Sequence, residues 1–470
     1  MSDEARGQAA EAAPSYTDLV ALVDDLRAEV AELRDAVAAR DERIAELEKS
    51  LDEARRTGKR QAAPFSKGEP AEEPKRPGRR SGERHGRHGH RMAPPGADRE
   101  LAAPLPDACP NCGGGVEHER DAEQWQVELP DPRPVTTRFV IGVGRCRDCG
   151  ARVQGRHPEQ ASDALGAAAS QLGPQARSFA AWLHYGLGLS FAKCATALGR
   201  LGFGVTAGAL CSGAQRTGTA LVPVHAEICR RINAAPAVVM DETGWREGGR
   251  GVWLWAATTP EATAYWVAEG RGFEEATILV DADYAGVVVR DGWAPYRCYR
   301  SATHQTCLAH LLRRCHELAG DNPSWARHTP KVVADILHTA LDARELSQRR
   351  RRQVVADLTE RVELLAEQAH PHDANRTLVA HLHNERHALF TFLLHPGVDA
   401  TNWRAEQAIR PAVVNRKVWG GNRTRRGADT QGRIMSVLRT AAQQGVDPVD
   451  WLARFARAPD LAVVPLFIPR

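Results

Sequence analysis

No apolar run in this chain of 470 residues approaches the roughly 18 residues that a membrane-spanning helix needs. A membrane partner is therefore not expected. The first residues, M-S-D-E-A-R-G-Q-A-A, carry no basic start followed by an apolar core, so export is not expected either. Charge of one sign is also scarce: 62 Lys and Arg against 59 Asp and Glu leave a net charge of +3. An argument for a nucleic-acid partner must rest on where the Arg lie, because their excess is too small to carry one. Cysteine is sparse for the length, 10 in all, with four in C-x-x-C pairs. That pattern suits metal binding in a reducing compartment better than a disulfide framework. With 43% hydrophobic residues the chain can bury a sizeable core. Its length exceeds the usual single-domain limit, so several domains of a soluble, cytoplasmic protein are expected.

From residue 16 to 55 a heptad runs unbroken. Val23, Val30, Val37, Ile44 and Leu51 form one seam, and Leu19, Leu26, Leu33, Arg40 and Leu47 the other. β-Branched residues at a with Leu at d favour a parallel two-stranded coiled coil, hence a homodimer; a solitary amphipathic surface helix is the alternative. Arg40 in the d seam lowers stability and suits a role in fixing register. Residues 56–106 are rich in Pro, Gly and charge without apolar periodicity, as a disordered basic linker is. Its Arg76, Arg79 and Arg80, with Lys75, Arg84, Arg87 and Arg91, either track a phosphate backbone or simply solvate a tether.

Residues 107–156 hold Cys109-Pro-Asn-Cys112-Gly and Cys146-Arg-Asp-Cys149-Gly. Two such knuckles, each followed by a Gly that lets backbone amides curl toward sulfur, make a tetrahedral four-sulfur zinc site. The intervening W-Q-V-E-L and T-T-R-F-V-I-G-V read as strands of a hairpin that brings the knuckles together. Residues 163–233 read as helices with Gly-rich breaks, among them a helix, a Gly turn and a second helix opening near Thr206. This is either a helix-turn-helix reader of DNA or plain helical packing.

Periodicity then changes. P-A-V-V-M-D, G-V-W-L-W-A-A-T and A-T-A-Y-W-V-A read as strands, and A-G-V-V-V-R-D follows a short helical stretch, so an antiparallel hairpin feeds a mixed α/β sheet. Residues 304–398 are helical and Arg-rich. Asp241 and Asp291 each close an apolar run, which puts them at strand ends on the rim of a sheet. Glu406 sits on a short helix entered at Asn402 and stopped by Pro411. Two Asp at strand ends and a helical Glu can together hold two hard divalent cations for phosphoryl transfer. Asp281 and Asp283 compete with Asp291 on spacing alone, and each carboxylate taken singly is also an ordinary turn or surface residue. Cys307 and His310 form a C-x-x-H that supplies only two ligands, so a packed structural pair is preferred to a second zinc site.

The words D-E-T-G-W, Y-A-G-V-V-V-R-D-G-W-A-P-Y, C-L-A-H-L-L-R-R, N-W-R-A-E-Q-A-I-R-P-A-V-V-N-R-K-V-W-G-G-N-R and S-V-L-R-T-A-A-Q-Q-G-V-D-P-V-D-W-L closely resemble the large transposase of the insertion sequence sixty-six family. The resemblance spans nearly the whole chain, because coiled coil, basic linker, zinc ribbon and helical segment precede the catalytic part there in the same order. It implies a multidomain α/β protein whose ribonuclease-H-like catalytic core comes in two parts, 235–303 and 399–456, split by the helical insertion. It implies that Asp241, Asp291 and Glu406 are catalytic and hold two Mg²⁺, and that a structural Zn²⁺ sits on Cys109, Cys112, Cys146 and Cys149. DNA is the implied substrate, both as the terminal inverted repeats of a bacterial element and as target, with cleavage and strand transfer as the reaction and the nucleoid as the place. Accessory proteins of the same element are a further implied partner. Arg410, Arg416, Lys417 and Arg423, then Arg425 and Arg426, lie just beyond Glu406, where cationic donors hold phosphates unless they form only a solvated basic face. The family commonly reads N-N-x-A-E-R before its R-P; Trp403 and Gln407 replace the second Asn and the Arg here, which touches the surroundings of Glu406 and not Glu406 itself. The competing readings are a junction-resolving nuclease on the same fold and a DNA-binding regulator derived from a transposase, without catalysis.

Overall fold

The computed structural model describes residues 94–127, 133–166 and 171–461, with positions 30, 34 and 465. The heptad segment, apart from the helical Val30 and Arg34, lies outside the described residues, as do Arg76, Arg79 and Arg80. The chain divides into two units, Met1–Val127 and Glu128–Arg470. In the first, Cys109 closes a tight loop. Its N–H donates to the Gly114 carbonyl and its carbonyl accepts from Gly113 N–H, both at 2.8 Å. Gly113 takes a φ of 75°, a conformation that a side chain resists.

In the second unit the other knuckle repeats this geometry: Cys146 N–H donates to the Ala151 carbonyl at 2.8 Å, and Gly150 N–H to the Cys146 carbonyl at 3.0 Å. Strands β1 (Val143–Arg145) and β2 (Arg152–Gln154) flank it as an antiparallel pair. The expected hairpin between the knuckles is thus corrected. Among the described residues, 121–127 and 133–142 hold no strand. The hairpin folds around the second knuckle alone, because the turn closed at Gly150, φ 70°, brings that knuckle's own flanks into register.

Helix α1 (Pro174–Ala181) opens with Pro at its first turn, where no N–H bond is lost, and runs into a π turn at Trp182–Gly186. Helix α2 (Phe191–Arg200) is capped by Ser190, and α3 (Ala207–Ala220) by Thr206, whose hydroxyl accepts from Ala209 N–H. Leu183, Cys194, Leu198 and Leu210 share one small core among them. Helix α4 (Val222–Asn233) then leads into the main sheet.

That sheet has five strands. β3 (Ala237–Glu247), β4 (Arg250–Thr258) and β5 (Thr263–Ala268) form an antiparallel meander; after a short α5 (Phe273–Ala276), β6 (Val287–Arg290) and β7 (Thr303–Thr306) join parallel on the other side of β3. The order is β5-β4-β3-β6-β7. Alternation along the strands divides two cores. Val238, Met240 and Val288 pack with α4 and with three later helices, α11 (Trp403–Trp419), α12 (Arg425–Gln443) and α13 (Pro448–Arg457). Val239, Val287 and Val289 pack instead with the inserted helices α6 (Leu308–Asp321), α7 (His328–Asp342), α8 (Gln348–Glu367), α9 (Asp373–Asn384) and α10 (Thr391–Leu394). No helix among the described residues is long and apolar enough to cross a membrane.

Two local expectations change. Asp241 is not at a strand end but fifth in the 11-residue β3, which outlasts its apolar run by pairing with β4 as far as Glu247↔Arg250. Pro411 does not stop α11, which runs on to Trp419 and ends at Gly420 in the left-handed region. Buried Ala405, Ala408, Ile409 and Ala412 hold the helix together across the missing N–H.

Side chains close both margins of the sheet. On β5, the Tyr265 N–H donates to the Ser436 hydroxyl at 2.8 Å and the Thr263 N–H to the Thr440 hydroxyl at 3.1 Å. Gly432, one turn earlier on α12, allows this approach, since a Cβ there would meet the Tyr265 carbonyl oxygen at 2.8 Å. On β7, the Gln305 side chain accepts from Phe392 N–H at 2.8 Å and donates to the Leu389 carbonyl at 3.1 Å, while the Thr391 hydroxyl donates to the His304 carbonyl at 2.6 Å. Ser436→Ala strands a buried N–H and is expected to cost about 1–3 kcal/mol, read from the urea midpoint of the full chain. Ser212→Ala, at an exposed position of α3, should stay within about 0.5 kcal/mol. Equal midpoints would remove the hydroxyl from this account.

Candidate active site

Val239 of β3 pairs with Val289 of β6 in parallel register, and the ladder ends there. Asp241 and Asp291 each lie two residues further along. Asp241 is still within β3, on the face of Val239, while Asp291 lies just past the end of β6 at Arg290, where its charge raises the Asp241 carboxyl. Asp281 and Asp283, the competitors on spacing, are exposed in the turn before β6, at the opposite end of that strand from Asp291.

Glu406 arrives from the first turn of α11. Its N–H and that of Ala405 donate to the carbonyl of buried Asn402 at 3.1 and 2.9 Å. Burial pushes the Asp241 carboxyl up to about 8, and the negative charges of Glu242, Asp291 and Glu406 push in the same direction against one backbone hydrogen bond that lowers it. The three expected carboxylates therefore share one field. His310 adds a polar neighbour, its Nε2 3.7 Å from Glu406 Oε1. Cys307, by contrast, is buried, and burial raises its thiol while the N–H groups of Asn402, His310 and Ala309 pull it back. The C-x-x-H is split between packing and site.

Several residues of this centre had no signal in the sequence. Glu242 is buried and raised chiefly by burial, with Tyr296 and Arg271 pulling it back. Its Oε1 lies 2.6 Å from Arg271, and the Tyr296 hydroxyl donates to Oε2. Arg290, immediately before Asp291, is buried in an ion pair with Glu385 at 2.6 Å. Gly292, immediately after it, lies so close to His381 that a Cβ would meet the ring at 2.8 Å. Residues 381 and 385 are one turn apart at the end of α9, so the insertion grips both neighbours of Asp291. Such partners meet only through tertiary folding, and no local word announces them.

Of the basic residues, Arg410, Lys417, Arg423 and Arg426 are exposed. Arg416 is half-buried, and burial and nearby Arg246 lower its basicity. Arg425 is already committed: it pairs with Asp429 at 2.7 Å and Glu247 at 3.5 Å and covers the Trp266 ring. The N-R-T that follows α11 is a clasp, with Asn422 accepting from the Trp245 indole at 2.7 Å and donating to the Gly427 carbonyl at 3.1 Å.

Among the described residues no three or more His, Cys, Asp or Glu form a ready-made metal-holding group. The carboxylate site nonetheless fits a hard divalent cation, since its donors are oxygen anions and their mutual repulsion is what a cation relieves. Each cysteine knuckle, taken by itself, fits a soft metal. Backbone N–H groups of Asn111 and Cys112 lower the Cys109 thiol, and those of Cys149 and Asp148 lower Cys146.

Asp241 supplies a test by pH. Folded, it keeps its proton up to about pH 8; unfolded, it loses it near pH 4. Across that window the folded state holds a proton that the unfolded state lacks, so stability falls as pH rises from about 4 to about 8. Asp241→Asn cannot ionise and should flatten this fall, measured as melting temperature in EDTA from about pH 5.5 to 8. Parallel curves for the two proteins would contradict the assignment.

Residues 169–430 match the family described as Transposase IS66 family. Over 264 residues the chain is 26% identical to "Uncharacterized protein y4qI" of Sinorhizobium fredii (strain NBRC 101917 / NGR234), a match covering 48% of this chain and 48% of that protein. The chain thus spans about half the length of this curated relative. With more than half of its own length inside the family match, and with the five-stranded mixed sheet and its converging carboxylates inside that stretch, the chain belongs to the IS66 transposase family.

Proposed function

We propose that the protein cuts and joins DNA strands at the ends of a bacterial insertion sequence, with Asp241, Asp291 and Glu406 as its catalytic carboxylates on a ribonuclease-H-like core. One observation carries this reading: Asp241 in β3 and Asp291 just past the end of the neighbouring parallel strand β6, each two residues beyond the paired Val239 and Val289, with a helical Glu whose charge, like that of Asp291, raises the first. These side chains would hold two Mg²⁺. Bound there, the cations supply Lewis-acid activation of an attacking oxygen and charge stabilisation on the leaving oxygen. The chain's own residues do the rest. The α9 grip on residues 290 and 292 fixes Asp291, and Arg410, Lys417 and Arg423 offer phosphate donors along and beyond α11. Arg416 adds a weakly solvated guanidinium near them. In-line transfer at phosphorus needs no covalent intermediate on the enzyme.

The N-terminal features complete the reading. The heptads would pair two copies, the basic linker with Arg76, Arg79 and Arg80 would reach along DNA, and the four cysteines would hold one structural Zn²⁺. Helices α2 and α3 are the candidate DNA-reading pair of the second unit, and accessory proteins of the element remain candidate partners.

Purified full chain, incubated with duplexes carrying the element ends and Mg²⁺, should yield 3′-end nicks and joined products. Asp241→Asn, Asp291→Asn and Glu406→Gln should each cut cleavage by roughly 100-fold or more, about 2.7 kcal/mol of transition-state stabilisation, while DNA affinity stays within about twofold. Asp281→Asn and Asp283→Asn should cleave normally. Near-normal cleavage by one of the first three variants removes that residue, and specific binding without any cleavage by the parent favours a regulator. Metal analysis of the intact protein should find about one zinc per chain, lost in Cys109→Ser and Cys149→Ser; an intact chain free of zinc overturns the four-cysteine assignment.

A further inference from the structure

Trp293 stands two residues beyond Asp291 and is 37% exposed. One face of its indole is covered. The Arg271 guanidinium carbon lies 4.0 Å from the centre of the Trp293 ring and 4.7 Å from that of the Trp253 ring on β4, so the cation is held between two indoles. The Trp293 indole N–H donates to the Arg271 carbonyl at 3.1 Å, which fixes the edge of the ring. Arg271 is itself locked, its Nε and Nη2 both 2.6 Å from Glu242 Oε1. Glu242 in turn accepts from Tyr296. The backbone N–H of Trp293 donates to Asp291 Oδ1 at 2.8 Å, so the indole rides on the same loop as the carboxylate.

A rigid aromatic surface with a fixed back and an exposed remainder is prepared for a planar ligand, because little rotamer freedom remains to be lost on binding. Beside a centre that handles phosphodiesters, the planar group at hand is a nucleobase. In a paired duplex that base is inside the stack and must swing out first. Stacking on an indole offsets this cost and tolerates any base, since every base has a π face.

We propose that Trp293, backed by Arg271 and Trp253, is the platform for one unstacked nucleobase of the DNA end, at the nucleotide next to the phosphate under attack. This rests on the reading of the carboxylate site as a DNA-cleaving centre. The hydrogen bond to Asp291 comes from backbone, so changing the indole leaves that bond in place and separates stacking from support of the carboxylate.

The test uses the full chain without divalent cation, and a DNA end carrying 5-iodouracil in turn at each nucleotide flanking the cleavage position, blunt or with two unpaired nucleotides. Irradiation should join one such nucleotide to Trp293, located by mass spectrometry of the parent protein. Trp293→Leu should bind the blunt end roughly tenfold more weakly and lose the crosslink, Trp293→Phe should stay within about threefold, and the pre-unpaired end should restore part of the loss in Trp293→Leu. A crosslink that maps to another residue, or a Trp293→Leu protein that binds blunt and unpaired ends as the parent does, overturns the platform while leaving the cleavage centre standing. Failure of the parent to bind any DNA end overturns both. Asp241→Asn should crosslink like the parent, because nothing is cut in this assay; loss of the crosslink in that variant counts against the platform.

Discussion

The centre depends on one constraint, the parallel register of β3 and β6. Three paired residues, Ala237 to Val239 against Val287 to Val289, decide that two acids further on come to rest beside each other. A slip of one residue would send one of them through the sheet to the opposite core. The proximity so enforced is repulsive and is sustained by burial on both sides, with Val238 and Val288 in one core and Val239 and Val289 in the other. The apolar packing of the sheet thus works against the electrostatics of its rim, and a bound cation is the natural relief.

The region around Asp291 is held by groups from three directions. Glu385 and His381 come from the insertion, Arg271 from the loop after β5, and Trp293 from the loop itself. The insertion is therefore part of the centre's framework as well as a separate core. Removing Glu385 would leave the buried Arg290 guanidinium without its carboxylate, whereas Glu385 keeps a second cation, Arg297, at 3.6 Å.

The parts that could be read from the sequence were those that local pattern governs. Apolar runs marked β3 to β6, turn and cap chemistry marked the opening of α3 at Thr206, and the words around Asp241, Asp291 and Glu406 marked acids that do come together. What escaped depended on pairing and packing partners that no local pattern names. β3 continues past Asp241 because β4 offers a partner, and α11 passes Pro411 because its apolar side is buried. The knuckle hairpin formed from nearer flanks than composition indicated. The basic run around Arg425 gave no sign of the acids that the fold sets beside it, Asp429 and Glu247. Glu242 sits next to the most conspicuous acid in the chain, but only the fold reveals Arg271 and Tyr296 around it.

The hydroxyls of Ser436 and Thr440 on one margin of the sheet, and Gln305 and Thr391 on the other, have a wider meaning. A β-sheet with free margins is a template for pairing with another chain, and these margins are occupied from within. Neither a second copy nor a peptide can extend this sheet without first displacing a helix. A strand added at either margin of this five-stranded sheet would first have to break one of these side-chain bonds.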